Sequence, residues 1–387
     1  MNADFLTPVK DSVVAHSVLL PPNSLGAIMR VHTQINGFPD LKGINIAILG
    51  VEEDRNTEDN LGSGKDLHHI RRHLYQLFPG NWNTSIADLG NIKKGDSTTD
   101  THFAVTKVIA DLLKLNIIPI IIGGGQDTTF SNYKAYDALE QTVNLVAVDS
   151  MFDLGNFEDE LSSKSYLSKI IMEVPSNLFN YSNIGYQTYF NSQEEINLIQ
   201  GLNFDAYKLG QAKDLEIVEP VFRDADIVSI DIGAVRQSDA PANNNVSPNG
   251  FYGEEICAIS RYAGISSKVS SFSLFEITDF TDSKSGAMLL AQVLWYFIEG
   301  VNFRVSDDDF TDQKNFTTYK VPIDDEVLIF KKSNKTGRWW IELPFISNIN
   351  NKLKSPTLLP CTYGEYLSAT NQEIPERWLK ARRKNEV

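Results

Sequence analysis

Five carboxylates in this 387-residue chain stand where an apolar run ends: Asp127 beyond 117–122 and Gly123-Gly124-Gly125, Asp149 and Asp153 beyond 144–148, Asp231 beyond 227–230, and Glu276 beyond 272–275. Gln126 adds an amide oxygen beside the first of them. Brought together, such oxygens suit a hard divalent cation such as Mg2+, Ca2+ or Mn2+. Without a positive charge between them they repel and raise one another's pKa. Imidazole is scarce: His16, His32, His68, His69, His73 and His102 are the six histidines, and all precede these strand ends. The order of residues therefore predicts no histidine, as metal ligand or as proton donor, from the later strands.

The carboxylates meet only if the runs before them are neighbouring parallel strands. A strand over 44–50 is followed by Leu67, Ile70, Leu74, Leu77 and Phe78 at helical spacing, stopped by Pro79-Gly80. A short strand near Ile86 precedes a helix from about Thr101, and 117–122 has the unbroken apolar character of a strand covered on both faces. Strands over 144–148, 227–230 and 272–275 follow, then a helix over about 283–300. This alternation predicts an α/β fold, three layers α/β/α around a doubly wound, mainly parallel sheet, with ligands at the carboxyl edge of the strands.

The remaining chain divides as an irregular N-terminal segment, 1–43, the α/β domain, 44–302, and a C-terminal extension, 303–387. The extension opens with Asp307-Asp308-Asp309, predicts a β-hairpin in which 327–330 and 339–343 flank Ser333-Asn334-Lys335-Thr336-Gly337, and ends with a helix near 362–369 and a basic tail. Trp339 and Trp340 are expected to pack within this hairpin rather than to form a partner surface. His69 and His73 have the i, i+4 spacing a metal could use, but a solvated helix face is the expectation. The glycine triplet lacks the Walker lysine and the GxGxxG spacing, so it reads as close packing at a strand end.

Composition is that of an ordinary globular protein, 42% hydrophobic and 22% charged, with a net charge of −15. That acidic balance argues against nucleic acid and anionic membranes as partners. Cys257 and Cys361 are the two cysteines and form no CxxC pair. With no signal-peptide pattern and no apolar run long enough to span a bilayer, the expectation is a soluble cytoplasmic protein.

Over about 44–300 the chain resembles the ureohydrolases: arginase, agmatinase and formimidoylglutamase. Gly123-Gly124-Gly125-Gln126 is similar to their Gly-Gly-x-His element, and Asp149-Ser150-Met151-Phe152-Asp153 to their Asp-Ala-His-x-Asp element. Ser229-Ile230-Asp231-Ile232-Gly233-Ala234-Val235-Arg236 is similar to Ser-x-Asp-x-Asp-x-x-Asp. The loop from Asp239 to Gly250 and the strand ending Phe275-Glu276-Ile277 resemble the family's Ala-Pro-Gly loop and its guanidinium-binding strand, and Leu161-Ser162-Ser163-Lys164-Ser165 falls where formimidoylglutamases carry a substrate loop.

The resemblance implies a two-metal centre, and the six ligand positions read Gln126, Asp149, Met151, Asp153, Asp231 and Gly233. Only Asp149, Asp153 and Asp231 are kept; Met151 and Gly233 offer no donor a manganese-like ion prefers. Arg236, where the family has an aspartate, is expected to replace the metal's charge, and no cofactor is expected, with one Mn2+, Mg2+ or Ca2+ as the alternative. Glu276 and Asp127 are the family-equivalent catalytic candidates. These departures predict a pseudoenzyme or binding scaffold. The alternatives are a single-metal hydrolase of linear amidines and a structural subunit of an assembly. The family's habit of oligomerising implies a homo-oligomer, and the extension 303–387 is a candidate surface for a protein partner.

Overall fold

The computed structural model describes residues 3–139, 141–240, 247–278, 284–307, 312–324, 326–343 and 357–386. The strands that bear the site, Ile118–Ile122, Val143–Val148, Ile227–Asp231 and Ser271–Phe275, are mainly apolar and buried along almost their whole length, as strands covered on both faces must be. In chain order the strands of the main sheet are β1 (Leu6–Thr7), β2 (Arg30–Val31), β3 (Ile46–Val51), β4 (Ile86–Ile92), β5 (Ile118–Ile122), β6 (Val143–Val148), β7 (Leu178–Tyr186), β8 (Asp205–Lys208), β9 (Ile227–Asp231) and β10 (Ser271–Phe275). They are ordered β1-β4-β3-β5-β10-β9-β6-β7-β8, with β2 also paired to β4. All pairings are parallel except β1 with β4.

Side-chain alternation divides the interior in two. Ile46, Ile48, Ile120, Ile122, Val228, Ile230, Phe272 and Leu274 enter one core. Ala47, Leu49, Ile121, Leu145, Ala147, Ile227 and Phe275 enter the other. Successive residues of a strand face opposite ways, so each face of the sheet needs its own helical cover, which gives the three layers expected. The helices Gly253–Ile265 and Lys284–Asn302 cover the first face, and Thr98–Lys114 packs on the second. Thr98–Lys114 begins in a capping box in which Ser97 and Asp100 exchange side-chain to backbone hydrogen bonds.

The topology places β5, β10, β9 and β6 side by side. Their carboxyl ends carry Gly123–Gln126, Glu276, Asp231 and Asp149 respectively, so the strand ends that the sequence singles out are adjacent in space. The N-terminal residues read as irregular instead add two short strands, β1 and β2, at β4.

The C-terminal residues form a separate antiparallel sheet, larger than the single hairpin expected: β11 (Phe316–Ile323), β12 (Glu326–Ser333), β13 (Trp339–Leu343) and β14 (Thr357–Cys361). The predicted hairpin is its β12–β13 pair. Trp339 and Trp340 are buried, and Trp339 stacks on Tyr319 and Tyr366, as the packing reading requires. Two helices follow, Tyr363–Thr370 and Glu376–Glu386, the second unforeseen because its residues are mostly charged. Arg223 of the main domain, buried, donates to the carbonyls of Trp339 and Cys361 at 2.9 and 3.0 Å and lies over the Trp340 ring. Asp308 and Asp309 of the expected linker and 241–246 of the family-like loop lie outside the described residues. Among the described residues no helix is long and apolar enough to cross a membrane.

Candidate active site and metal centre

Asp149, Met151, Asp153, Asp231, Gly233 and Glu276 line one cavity of about 280 Å³, with Ser163, Lys164 and Phe190 on its wall. Asp231 is the last residue of β9, while Asp149 and Glu276 are the first residues after β6 and β10. The turns that follow are tight. Glu276 takes φ +60° and Asp153 φ +52°, a left-handed region costly for residues other than glycine, which marks both as positions held by their surroundings. Gly123, at φ +86°, lets the chain turn against Leu67, which a β-carbon would meet at 2.6 Å.

Each acid is only partly satisfied. Asp149 Oδ1 accepts the Met151 N–H at 2.9 Å, and Asp231 Oδ1 accepts the Gly233 N–H at 2.6 Å. Asp149 Oδ2 and Asp153 Oδ2 are buried without a hydrogen-bond partner. Glu276 is better held: Oε1 accepts the Gln126 N–H at 2.8 Å and Oε2 accepts from the Asn60 side chain at 2.6 Å. Burial drives the pKa of Asp153 well above the carboxylate range, and repulsion from Asp149, Asp231 and Glu276 drives it further. Asp231 is raised for the same reasons. Asp149 is raised by burial, against the opposing hydrogen bond from the Met151 N–H. Glu276 is pushed up to about 7 by burial, with Asn60 and Gln126 opposing.

The charge-compensating role expected of Arg236 is not what the structure shows. Its Nε donates to Asp239 Oδ1 at 2.9 Å, its guanidinium lies 3.9 Å from the Tyr252 ring centre, and it lines a different cavity. The cation on the wall is Lys164, which lowers the pKa of Asp231 but forms its ion pair with Asp59 at 3.2 Å. Lys164 and Ser163 belong to the segment likened to a substrate loop. Among the described residues, then, no cationic side chain is paired with Asp149, Asp153 or the half-buried Asp231.

Two residues expected at the mouth are absent from the cavity lining. Gln126 is buried and donates its amide to the Tyr166 hydroxyl at 3.3 Å. Asp127 is buried with its carboxylate 3.0 Å from His102 Nε2, and the other ring nitrogen of His102 lies 2.6 Å from Ser131 Oγ. A β-carbon at Gly125 would meet Asp127 Oδ1 at 2.3 Å, so a side chain at 125 and this Asp127 rotamer exclude each other. His102 was legible as a residue of an early helix; that the helix lays it against Asp127 is a tertiary fact that spacing does not encode. Asn60, in the long polar loop after β3, carried no sequence signal.

The donor set fits one oxygen-liganded cation and does not fit a pair. Asp149, Asp153 and Asp231 present unpaired or partly paired oxygens to a shared cavity, the chemistry a hard cation requires. The second position would fall to Met151 and Gly233, which supply no suitable donor. The three aspartates are spread in this structure. Among the described residues, the group of three or more His, Cys, Asp and Glu side chains whose ligand atoms all lie within 4.8 Å of one another is Asp66, His68 and His69 instead. Closing the aspartates on one ion therefore requires side-chain rotation.

A sheet of this order with acids at its central carboxyl ends defines the ureohydrolase class of α/β protein. Residues 44–299 match the arginase family, and the chain belongs to that family. It is 24% identical over 297 residues to the formimidoylglutamase of Streptococcus gordonii, covering 70% of this chain and 89% of that protein. The fold is similar to the crystal structure of Trypanosoma cruzi formiminoglutamase with Mn2+2, with a TM-score of 0.66 and 17% identity, over 73% of this chain and 99% of that one. It is also similar to formimidoylglutamase from Bacillus subtilis, with a TM-score of 0.63 and 19% identity, over 69% and 90% of the two chains.

Proposed function

We propose that this chain is a metal-dependent hydrolase of C–N bonds in linear amidines, of the formimidoylglutamase type, working with one divalent cation held by Asp149, Asp153 and Asp231. The observation that carries the reading is the pair of buried oxygens without partners, Asp149 Oδ2 and Asp153 Oδ2, at a cavity where, among the described residues, no cation is paired with them. Unpaired buried charge is costly unless a proton or a metal ion offsets it. The relatives named formimidoylglutamase support the substrate class.

A cation at this position would supply Lewis-acid chemistry. The protein's own groups do the rest. Glu276 keeps lone pairs beyond the two used by Asn60 and Gln126, so it can accept hydrogen bonds from an amidinium entering the cavity. Lys164 and Ser163, on the wall, are placed to hold an anionic end of the substrate.

The test is formamide release from formimidoylglutamate and urea release from agmatine and arginine, with Mn2+ supplied. Mn2+-dependent turnover of at least one amidine, lost in Asp153→Asn, is expected; no turnover with any of them by a folded protein defeats the proposal. Met151 and Gly233 favour a second reading, a pseudoenzyme that keeps the scaffold for binding or for assembly as a homo-oligomer. That reading gains if amidines bind at the cavity without being cleaved.

A further inference from the structure

A second cavity, of about 590 Å³, opens at the carboxyl ends of β7 and β8, and it is the one to which Arg236 belongs. Lys208, Lys213 and Arg236 line it, and no aspartate or glutamate does among the described residues. In a chain of net charge −15, three cations sharing a wall without an acid run against the bulk composition.

The acids that pair with two of these cations are committed elsewhere. Lys213 Nζ is 3.2 Å from Glu255, whose Oε2 accepts the Tyr252 N–H. Arg236 Nε meets Asp239, whose Oδ2 accepts the Gly253 N–H at 2.7 Å. Both carboxylates thus serve the start of the helix Gly253–Ile265 and do not line the cavity. Arg236 keeps its terminal nitrogens for a ligand, and the exposed Lys208 has no carboxylate partner among the described residues. Arginine offers a planar fork to phosphate oxygens and lysine a mobile point charge, a combination suited to a dianion. Three tyrosines, Tyr186, Tyr189 and Tyr252, share the wall with small and polar residues. The Tyr252 ring is taken by Lys213 Nζ and the Arg236 guanidinium, 4.1 and 3.9 Å from its centre, so Tyr189, 66% exposed, is the ring left to cover a planar group.

We propose that this cavity binds a small organic phosphate carrying a flat ring, with its phosphate on Lys208, Lys213 and Arg236 and its ring against Tyr189. The site is separate from the aspartate cavity and does not depend on a metal there. The measurement is calorimetric titration of the full chain, in EDTA, with AMP, inorganic phosphate and adenosine. AMP is expected to bind, inorganic phosphate to compete with it, and adenosine to bind at least tenfold more weakly. Lys208→Glu is expected to weaken AMP at least tenfold, and Lys213→Gln to weaken it in a protein whose circular dichroism is unchanged. Absence of AMP binding at millimolar concentration, or AMP binding unaltered by Lys208→Glu, overturns the proposal. Equal affinity for AMP and inorganic phosphate overturns the role given to Tyr189.

Discussion

Asn60 donates its side-chain amide to Glu276 Oε2 at 2.6 Å and to the Glu276 carbonyl at 3.0 Å, joining residues 216 positions apart. Through this contact the long polar loop after β3 fixes a carboxylate at the end of β10, in a backbone conformation glutamate rarely adopts. Removing the donor leaves a buried oxygen of Glu276 unpaired, at a cost of about 1–3 kcal/mol. Asn60→Ala is therefore expected to lower the urea midpoint without changing the slope of the transition. An unchanged midpoint would show that water replaces the amide freely and that the loop does not hold Glu276.

Arg223 ties the C-terminal sheet to the main domain. Truncation to Ala removes a donor from the carbonyls of Trp339 and Cys361 and the cation from the Trp340 face. A loss of about 2–4 kcal/mol is expected. Limited proteolysis should cut the region 303–387 faster in Arg223→Ala than in the wild type, with the product at the lower boundary of the extension. Equal cleavage rates would mean that other contacts, such as Lys380 with Asp205 at 3.1 Å, suffice.

Acid should loosen the start of the site loop through Glu53. Burial raises the pKa of this carboxyl, but hydrogen bonds from Arg55 and Thr101 outweigh it and hold it at about 2, against an ordinary value of 4.5. Since the folded state favours the ionised form, the stabilisation is complete above about 4.5. It fades as pH falls toward 2, and its full size is at most about 3 kcal/mol. Glu53→Gln should flatten the pH dependence of stability between about 5 and 2 in denaturant titrations. A variant that keeps the wild-type slope would place the acid sensitivity in other groups.

The central strands were legible because burial on both faces leaves a signal that survives in a single sequence. The runs ending at Asp149, Asp231 and Glu276 were each placed within a residue or two. Strands β7 and β8 were not. Leu178–Tyr186 mixes asparagine, serine and tyrosine with its aliphatics, and Asp205–Lys208 is four residues long, so neither gives a period. At the site, Asp149, Met151, Asp153, Asp231, Gly233 and Glu276 could be picked from their strand ends, but Phe190 on the wall carried no signal, and the sequence could not show which side chains turn away. Arg236 follows the β9 motif in sequence, yet Asp239 and Tyr252 draw it to the neighbouring cavity. Asp127 follows Gln126, yet His102 holds it below the rim. Side-chain contacts made outside the strands decide such orientations, and spacing along one strand carries no record of them.

Restoring the missing donors tests the ligand assignment. The triple variant Gln126→His, Met151→His, Gly233→Asp returns imidazole and carboxylate to the family's positions, and it should hold two Mn2+ per chain where the wild type holds one. Gly233 has no left-handed φ, so its backbone accepts a side chain. Atomic emission on dialysed protein gives the count, and a triple variant that binds no more than the wild type would place the loss in the shape of the cavity instead of its ligands.

The most direct measurement is equilibrium dialysis of the wild-type chain against Mn2+, with the bound metal counted and repeated on Asp149→Asn and Asp231→Asn. One cation per chain, released by either substitution while the protein stays folded, is the predicted result. A wild type that binds none, or one that binds two, contradicts the single-cation site.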